Sequence, residues 1–163
     1  MREWLKGHGY RNGYVSIDND DYVFSWALQK AKKQKKHINF KNIERLYVEH
    51  LIGAVEFYDQ LSKETLGYGP KHVLLLHEND SSALFLDAFL TALKKRKWRL
   101  ISTEEAFNDN LYSENPVNTY SNNGIIAQVA FEKSKIRTSY NKFDELRQKL
   151  IQELKIKVID SSF

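Results

Sequence analysis

The run His72-Val73-Leu74-Leu75-Leu76-His77, followed by Glu78-Asn79-Asp80, limits what this chain can fold into more than any other stretch. Four consecutive apolar residues are too few to specify a helix and read as a strand buried on both faces. The strand stops abruptly at an ionisable side chain. Ser81, Ser82 and Asp87 then frame Leu84-Phe85-Leu86 and Ala88-Phe89-Leu90, the pattern of a capped amphipathic helix over about residues 82–96. A buried parallel strand that delivers a histidine at its carboxyl end, just before a helix, puts that imidazole where open α/β sheets and barrels keep their chemistry.

The rest of the chain alternates in the same way. Residues 2–6 read as the end of a helix closed by Gly7 or Gly9, and Tyr14-Val15-Ser16-Ile17 as a short strand after the turn Arg11-Asn12-Gly13. That strand runs into the carboxylate-rich loop Asp18-Asn19-Asp20-Asp21. A helix is expected within 22–36, and Asn39 is placed to cap the longest one, over 40–63. There Phe40, Ile43, Tyr47, Leu51, Ala54, Tyr58 and Leu61 recur every three or four residues, as one buried face requires. Gly67, Gly69 and Pro70 end it. Trp98-Arg99-Leu100-Ile101-Ser102 reads as a further strand, with a short helix at Thr103 to Phe107. Helix–strand alternation argues an α/β fold with parallel strands. Only three such strands can be found, so a parallel sheet would be left with an exposed edge and the chain reads as part of a fold. From Asn108 to Asn123 the sequence turns polar, with Pro116, and reads as a loop. Residues 143–157 form an amphipathic tail helix through Phe143, Leu146, Leu150 and Leu154.

Asp21 and His77 each follow a strand directly. In a parallel array the carboxyl ends of all strands share one rim, so the two side chains can meet despite their separation in sequence. A carboxylate against an imidazole fixes its tautomer and favours the protonated ring, which suits a general acid that gives a proton to a leaving amine or alcohol. Other combinations fail on geometry. His72 and His77 lie on opposite faces of one strand and cannot share a metal ion. Asp18, Asp20 and Asp21 lack the glycine and distal glutamate of a calcium loop, so Asp18 and Asp20 read as turn formers. His50 reads as a hydrogen-bonded packing residue on the long helix.

Composition removes whole classes of function. The 163 residues suffice for one core, and the absence of cysteine rules out disulfides and thiolate chemistry. No apolar stretch is long enough to span a bilayer, and the amino terminus has no signal-like apolar core. The net charge of +4 draws on Lys30, Lys32, Lys33, Lys35 and Lys36. With no interleaved aromatic residue this run reads as a solvated surface rather than a nucleic-acid site, and no nucleic-acid partner is expected.

Four segments taken in order resemble polysaccharide deacetylases, the NodB homology domain of carbohydrate esterase family four. They are Ser16-Ile17-Asp18-Asn19-Asp20-Asp21-Tyr22, the helix through Tyr47 to Leu61, Val73-Leu74-Leu75-Leu76-His77, and Trp98-Arg99-Leu100-Ile101-Ser102-Thr103-Glu104-Glu105-Ala106. The resemblance covers about the first two-thirds of the chain. It implies the carboxyl-terminal part of a distorted (β/α) barrel over residues 1–108, followed by a polar loop and tail helix over 109–163. It further implies metal-dependent removal of acetyl groups from a glycan. His77 would be the catalytic acid, Asp21 the carboxylate that orients it, Leu75 a wall of the acetyl-methyl pocket and Tyr22 the aromatic wall where the family usually has tryptophan. The family's divalent metal, often zinc, is bound by an Asp-Asp motif and a His-x-x-x-His pair upstream of the matched region. No metal is therefore expected to be bound by this chain alone. The expected partners are an acetylated polysaccharide and an amino-terminal half or other subunit carrying that metal; the alternative is a non-catalytic fragment that binds glycan or a partner.

Overall fold

The computed structural model of the chain describes residues 2–10, 12–114, 116 and 123–158. Their regular structure is helical: α1 (Arg2–Gly7), α2 (Tyr22–Lys33), α3 (Phe40–Leu66), α4 (Asp80–Lys95), α5 (Thr103–Phe107), α6 (Ile125–Ser134) and α7 (Phe143–Leu154), with a 3-10 turn at Asn110–Ser113. No helix among them is long and apolar enough to cross a membrane. Of the expected polar loop, residues 115 and 117–122 lie outside the described residues, as does Arg11 of the first turn.

No strand forms among the described residues, which corrects the α/β expectation and the half-barrel it implied. The segments read as strands at 14–17 and 73–76 are extended, but they meet in a single parallel bridge, Ile17 opposite Leu74. The reason lies in who satisfies the backbone. Val73 C=O accepts from the Ser16 and Ile17 amides at 2.9 and 3.1 Å, as in a sheet, but the Val73 amide donates to the Ser16 hydroxyl at 2.7 Å. Further along, the Asn19 side-chain amide donates to Leu75 C=O at 2.7 Å and the His77 amide to the Asp21 carboxylate at 2.9 Å. Polar side chains thus occupy positions that a neighbouring strand's backbone would fill, and a ladder does not propagate. Nor is the apolar run buried on both faces: Val73 to Leu76 are only half-buried. The third expected strand, 98–102, does not form one among the described residues, and its Leu100 is 54 % exposed.

The chain divides into two compact units. The first comprises Met1–Ile17, Tyr58–Leu74 and Ile101–Ser139. Its core is built on α6, where Ile125, Ile126, Ala127, Val129 and Ala130 are all buried. Gly124 opens that helix because it must: a Cβ there would stand 2.8 Å from the Val15 carbonyl oxygen and 3.1 Å from Ser16 backbone atoms.

The second unit comprises Asp18–Phe57, Leu75–Leu100 and Tyr140–Phe163. Here α2 buries Val23, Phe24, Ala27, Leu28 and Ala31, one face at helical spacing, and packs against α4 and α7. Leu146, Leu150 and Leu154 of α7 are buried, so the expected tail helix is part of this core. Asn39 caps α3 as expected, its side chain accepting the Asn42 amide, whereas α4 begins at Asp80, before the expected 82, and its cap is Asn79, whose side chain accepts the Ser82 amide. The lysine run also has a local explanation. Lys30, Lys32 and Lys33 occupy the last turn of α2, where cations complement the helix dipole, and Lys35 closes it in the left-handed conformation at φ 53°.

Candidate functional site

The site is built where the carboxylate loop enters α2. Asn19 anchors the loop: its amide donates to the Asp18 carboxylate at 2.9 Å and its Oδ1 accepts the Asp21 amide at 2.8 Å, an Asx turn. Asp21 then stands at the N-cap position of α2 but makes no capping bond with its side chain. Its carboxylate is fully buried and turned toward His77 instead. One oxygen lies 2.6 Å from His77 Nδ1, and the other accepts the His77 backbone amide at 2.9 Å. A single side chain therefore fixes both where the histidine backbone runs and how its ring is turned. The positive end of the α2 dipole favours the anion there.

His77 is held from its other side through α4. Its carbonyl accepts from the Ser82 hydroxyl at 2.8 Å, while the Ser81 hydroxyl donates to Asn79 Oδ1 at 2.6 Å. The ring is 46 % exposed. With an acceptor-only carboxylate on Nδ1, the proton of the neutral ring sits on Nδ1, and among the described residues Nε2 has no hydrogen-bond partner. Tyr22, the first residue of α2, meets the imidazole edge-on with ring centroids 5.6 Å apart. Leu75 lies two residues before His77 on the same extended segment, half-buried, its carbonyl engaged by Asn19. The structure thus brings Asp21, Tyr22 and His77 together.

Four contributors were not legible as such. Asn19, buried, organises the loop. Asp20 is pushed up to about 6, first by burial and then by the charges of Asp18 and Asp21. Burial also raises Asp18, against the pull of its hydrogen bond from Asn19 and of His77. Phe143, read as the apolar face of a tail helix, has its ring 6.5 Å from that of Tyr22. The Asp-Asn-Asp-Asp spacing could have flagged the first three; nothing local flags Phe143.

The two histidines with buried rings, His72 and His50, do not form a second site. His72 Nδ1 lies 3.2 Å from the Ser16 hydroxyl and its Nε2 3.6 Å from Asp59, an order that looks like a nucleophile triad. Ser16 is fully buried, however, and its hydroxyl is already committed to the amide and carbonyl of Val73, so no substrate can reach it. His50 is buried against Phe24 and Tyr140. It does not make the expected hydrogen bond at Nε2, and burial pushes it down to about 4.

The divalent metal implied by the resemblance does not fit the residues described. Both Asp21 oxygens are committed to His77, and among the described residues no three His, Asp or Glu side chains are grouped to hold an ion. No protein-family model, curated protein or solved structure matches this chain.

Proposed function

We propose that this chain supplies the proton-donating part of a polysaccharide deacetylase, with His77 as the general acid and Asp21 as the residue that positions it. The observation that carries this reading is the double grip of the buried Asp21 carboxylate on the ring nitrogen and the backbone amide of His77. A ring held at Nδ1 and exposed at its other edge presents Nε2 to a substrate. When protonated, Nε2 gives its proton to the departing amine nitrogen of an N-acetyl group, or to the alkoxide of an O-acetyl group, as the bond to the acyl carbon breaks. Asp21 stabilises the imidazolium before transfer and keeps the ring aimed. The deacetylase class comes from the order of the Asp18-to-Tyr22, Leu75-to-His77 and Ile101-to-Ala106 segments. Tyr22 beside His77 and Leu75 on its segment would shape the acyl pocket.

Hydrolysis also needs a water activated for attack, which in this family is the metal's part. The described residues do not form that centre, so in this reading the metal is held by residues outside them.

The test is to co-express the chain with the polypeptide encoded immediately upstream of Met1 and to measure acetate released from N-acetylglucosamine tetramer and from O-acetylated xylan. The expected result is acetate release by the pair, falling roughly 10²–10⁴-fold for His77→Ala while metal content is retained. Glycan binding by the chain with no acetate from any such pair would identify a non-catalytic binding module instead.

A further inference from the structure

A reaction at His77 on a glycan requires the sugar chain to be held beside the imidazole, and the surroundings of Tyr22 have the chemistry to hold one. The Tyr22 ring is 5.6 Å from His77, and the Phe143 ring is 6.5 Å from Tyr22, inclined to it by only 33°. The two rings are tilted to one another rather than locked edge to face, and the exposed parts of both add apolar surface near His77. Tyr22 is 37 % exposed and Phe143 is half-buried, so the pair is accessible beside a half-exposed His77. Asp18 and Asp20 lie half-buried in the loop that runs directly into Tyr22. An aromatic surface bordered by carboxylates suits a pyranose, which has C–H-rich faces that pack on rings and a rim of hydroxyls that donate to carboxylate oxygens.

We propose that Tyr22 and Phe143 form a sugar-stacking subsite next to His77, on which a pyranose ring packs while Asp18 and Asp20 accept its hydroxyls. This rests on the deacetylase reading of the same site and adds Phe143, Asp18 and Asp20 to it. The subsite decides which stretch of a glycan is brought to the His77 proton. It also gives the start of α7 a task beyond packing: Leu146, Leu150 and Leu154 anchor that helix, and the Phe143 ring is not among its buried residues.

The experiment is a titration of the full chain with N-acetylglucosamine tetramer, followed by the aromatic ring signals of His77, Tyr22 and Phe143 in NMR. All three sets of signals should shift with one dissociation constant. Phe143→Leu keeps an apolar residue at the head of α7 and should weaken that constant about tenfold, with an unchanged urea midpoint; that is about 1.4 kcal/mol. Should the His77 signals respond while Phe143 stays silent, or should Phe143→Leu bind as tightly as the wild-type chain, the subsite is wrong and the deacetylase reading stands. Absence of any shift at the rings also removes the subsite. A shift at Phe143, weakened by Phe143→Leu, with no acetate from the co-expressed pair would keep the subsite and remove the deacetylase reading.

Discussion

Replacing Asp21 by alanine should separate the two jobs of its carboxylate. In the wild-type chain one oxygen takes the His77 backbone amide at 2.9 Å and the other the ring Nδ1 at 2.6 Å. The two bonds differ in what happens when the carboxylate goes. The amide belongs to a part-buried segment, and an unsatisfied buried donor costs about 1–3 kcal/mol. The ring is 46 % exposed, so water can replace its partner and the loss there should be about 1 kcal/mol or less. Asp21→Ala should therefore destabilise the chain by roughly 1–4 kcal/mol in urea unfolding followed by far-UV circular dichroism. His77→Ala removes the ring bond and leaves the backbone bond in place. Asp21→Ala made in a His77→Ala background should then still cost roughly 1–3 kcal/mol, the backbone share alone. If Asp21→Ala costs under about 1 kcal/mol in both backgrounds, the carboxylate does not hold the segment in place, and the reasoning that links it to the position of His77 fails.

His50 should make the chain acid-sensitive. Its folded value of about 4 lies below its ordinary 6.5, so between those limits the unfolded chain binds a proton that the folded chain refuses, and stability falls as pH falls through that window. The full effect approaches about 3 kcal/mol. Asp20, raised to about 6, acts with the opposite sign over part of the same range, so the quantity to measure is the difference in urea-unfolding free energy between wild type and His50→Leu from pH 7 to pH 4. A difference that does not change with pH would show that His50 is not kept neutral by burial. Gly124→Ala should cost about 1–3 kcal/mol, since its Cβ would meet Val15 and Ser16 backbone atoms rather than a side chain that can swing away. A thermal melt matching that of the wild-type chain would show that the loop before α6 yields freely.

The helices were largely legible because their signals are local. Asn39, Asn79 and Ser102 cap α3, α4 and α5 through bonds that span two or three residues, and Gly67 ends α3 at φ +82°. The helix left unread, α6, is legible only in hindsight. Ile125, Ile126, Ala127, Val129 and Ala130 spread over more than half of its circumference, so no narrow apolar stripe marks the period. The strands were misread for a different reason. An apolar run such as Val73 to Leu76 announces an extended backbone, but not which groups will satisfy that backbone.

That same distinction explains how a mistaken sheet could lead to a real juxtaposition. In a parallel sheet Asp21 and His77 would meet at a shared rim of strand ends, and among the described residues there is no such rim. What joins them is more local: Asn19 reaches the Leu75 carbonyl, and two residues later Asp21 reaches the His77 amide. The two-residue step follows the apolar run, because alternate residues of an extended chain turn their backbone groups to the same side. The loop's polar side chains therefore read the register of the apolar run as a strand would. Asp21 is the point at which that reading also captures a side chain, since its second oxygen is left to take the imidazole. A carboxylate at this step does both jobs, whereas a serine or asparagine here, like Asn19 at the step before, could hold the backbone but would give the ring no negative charge to face.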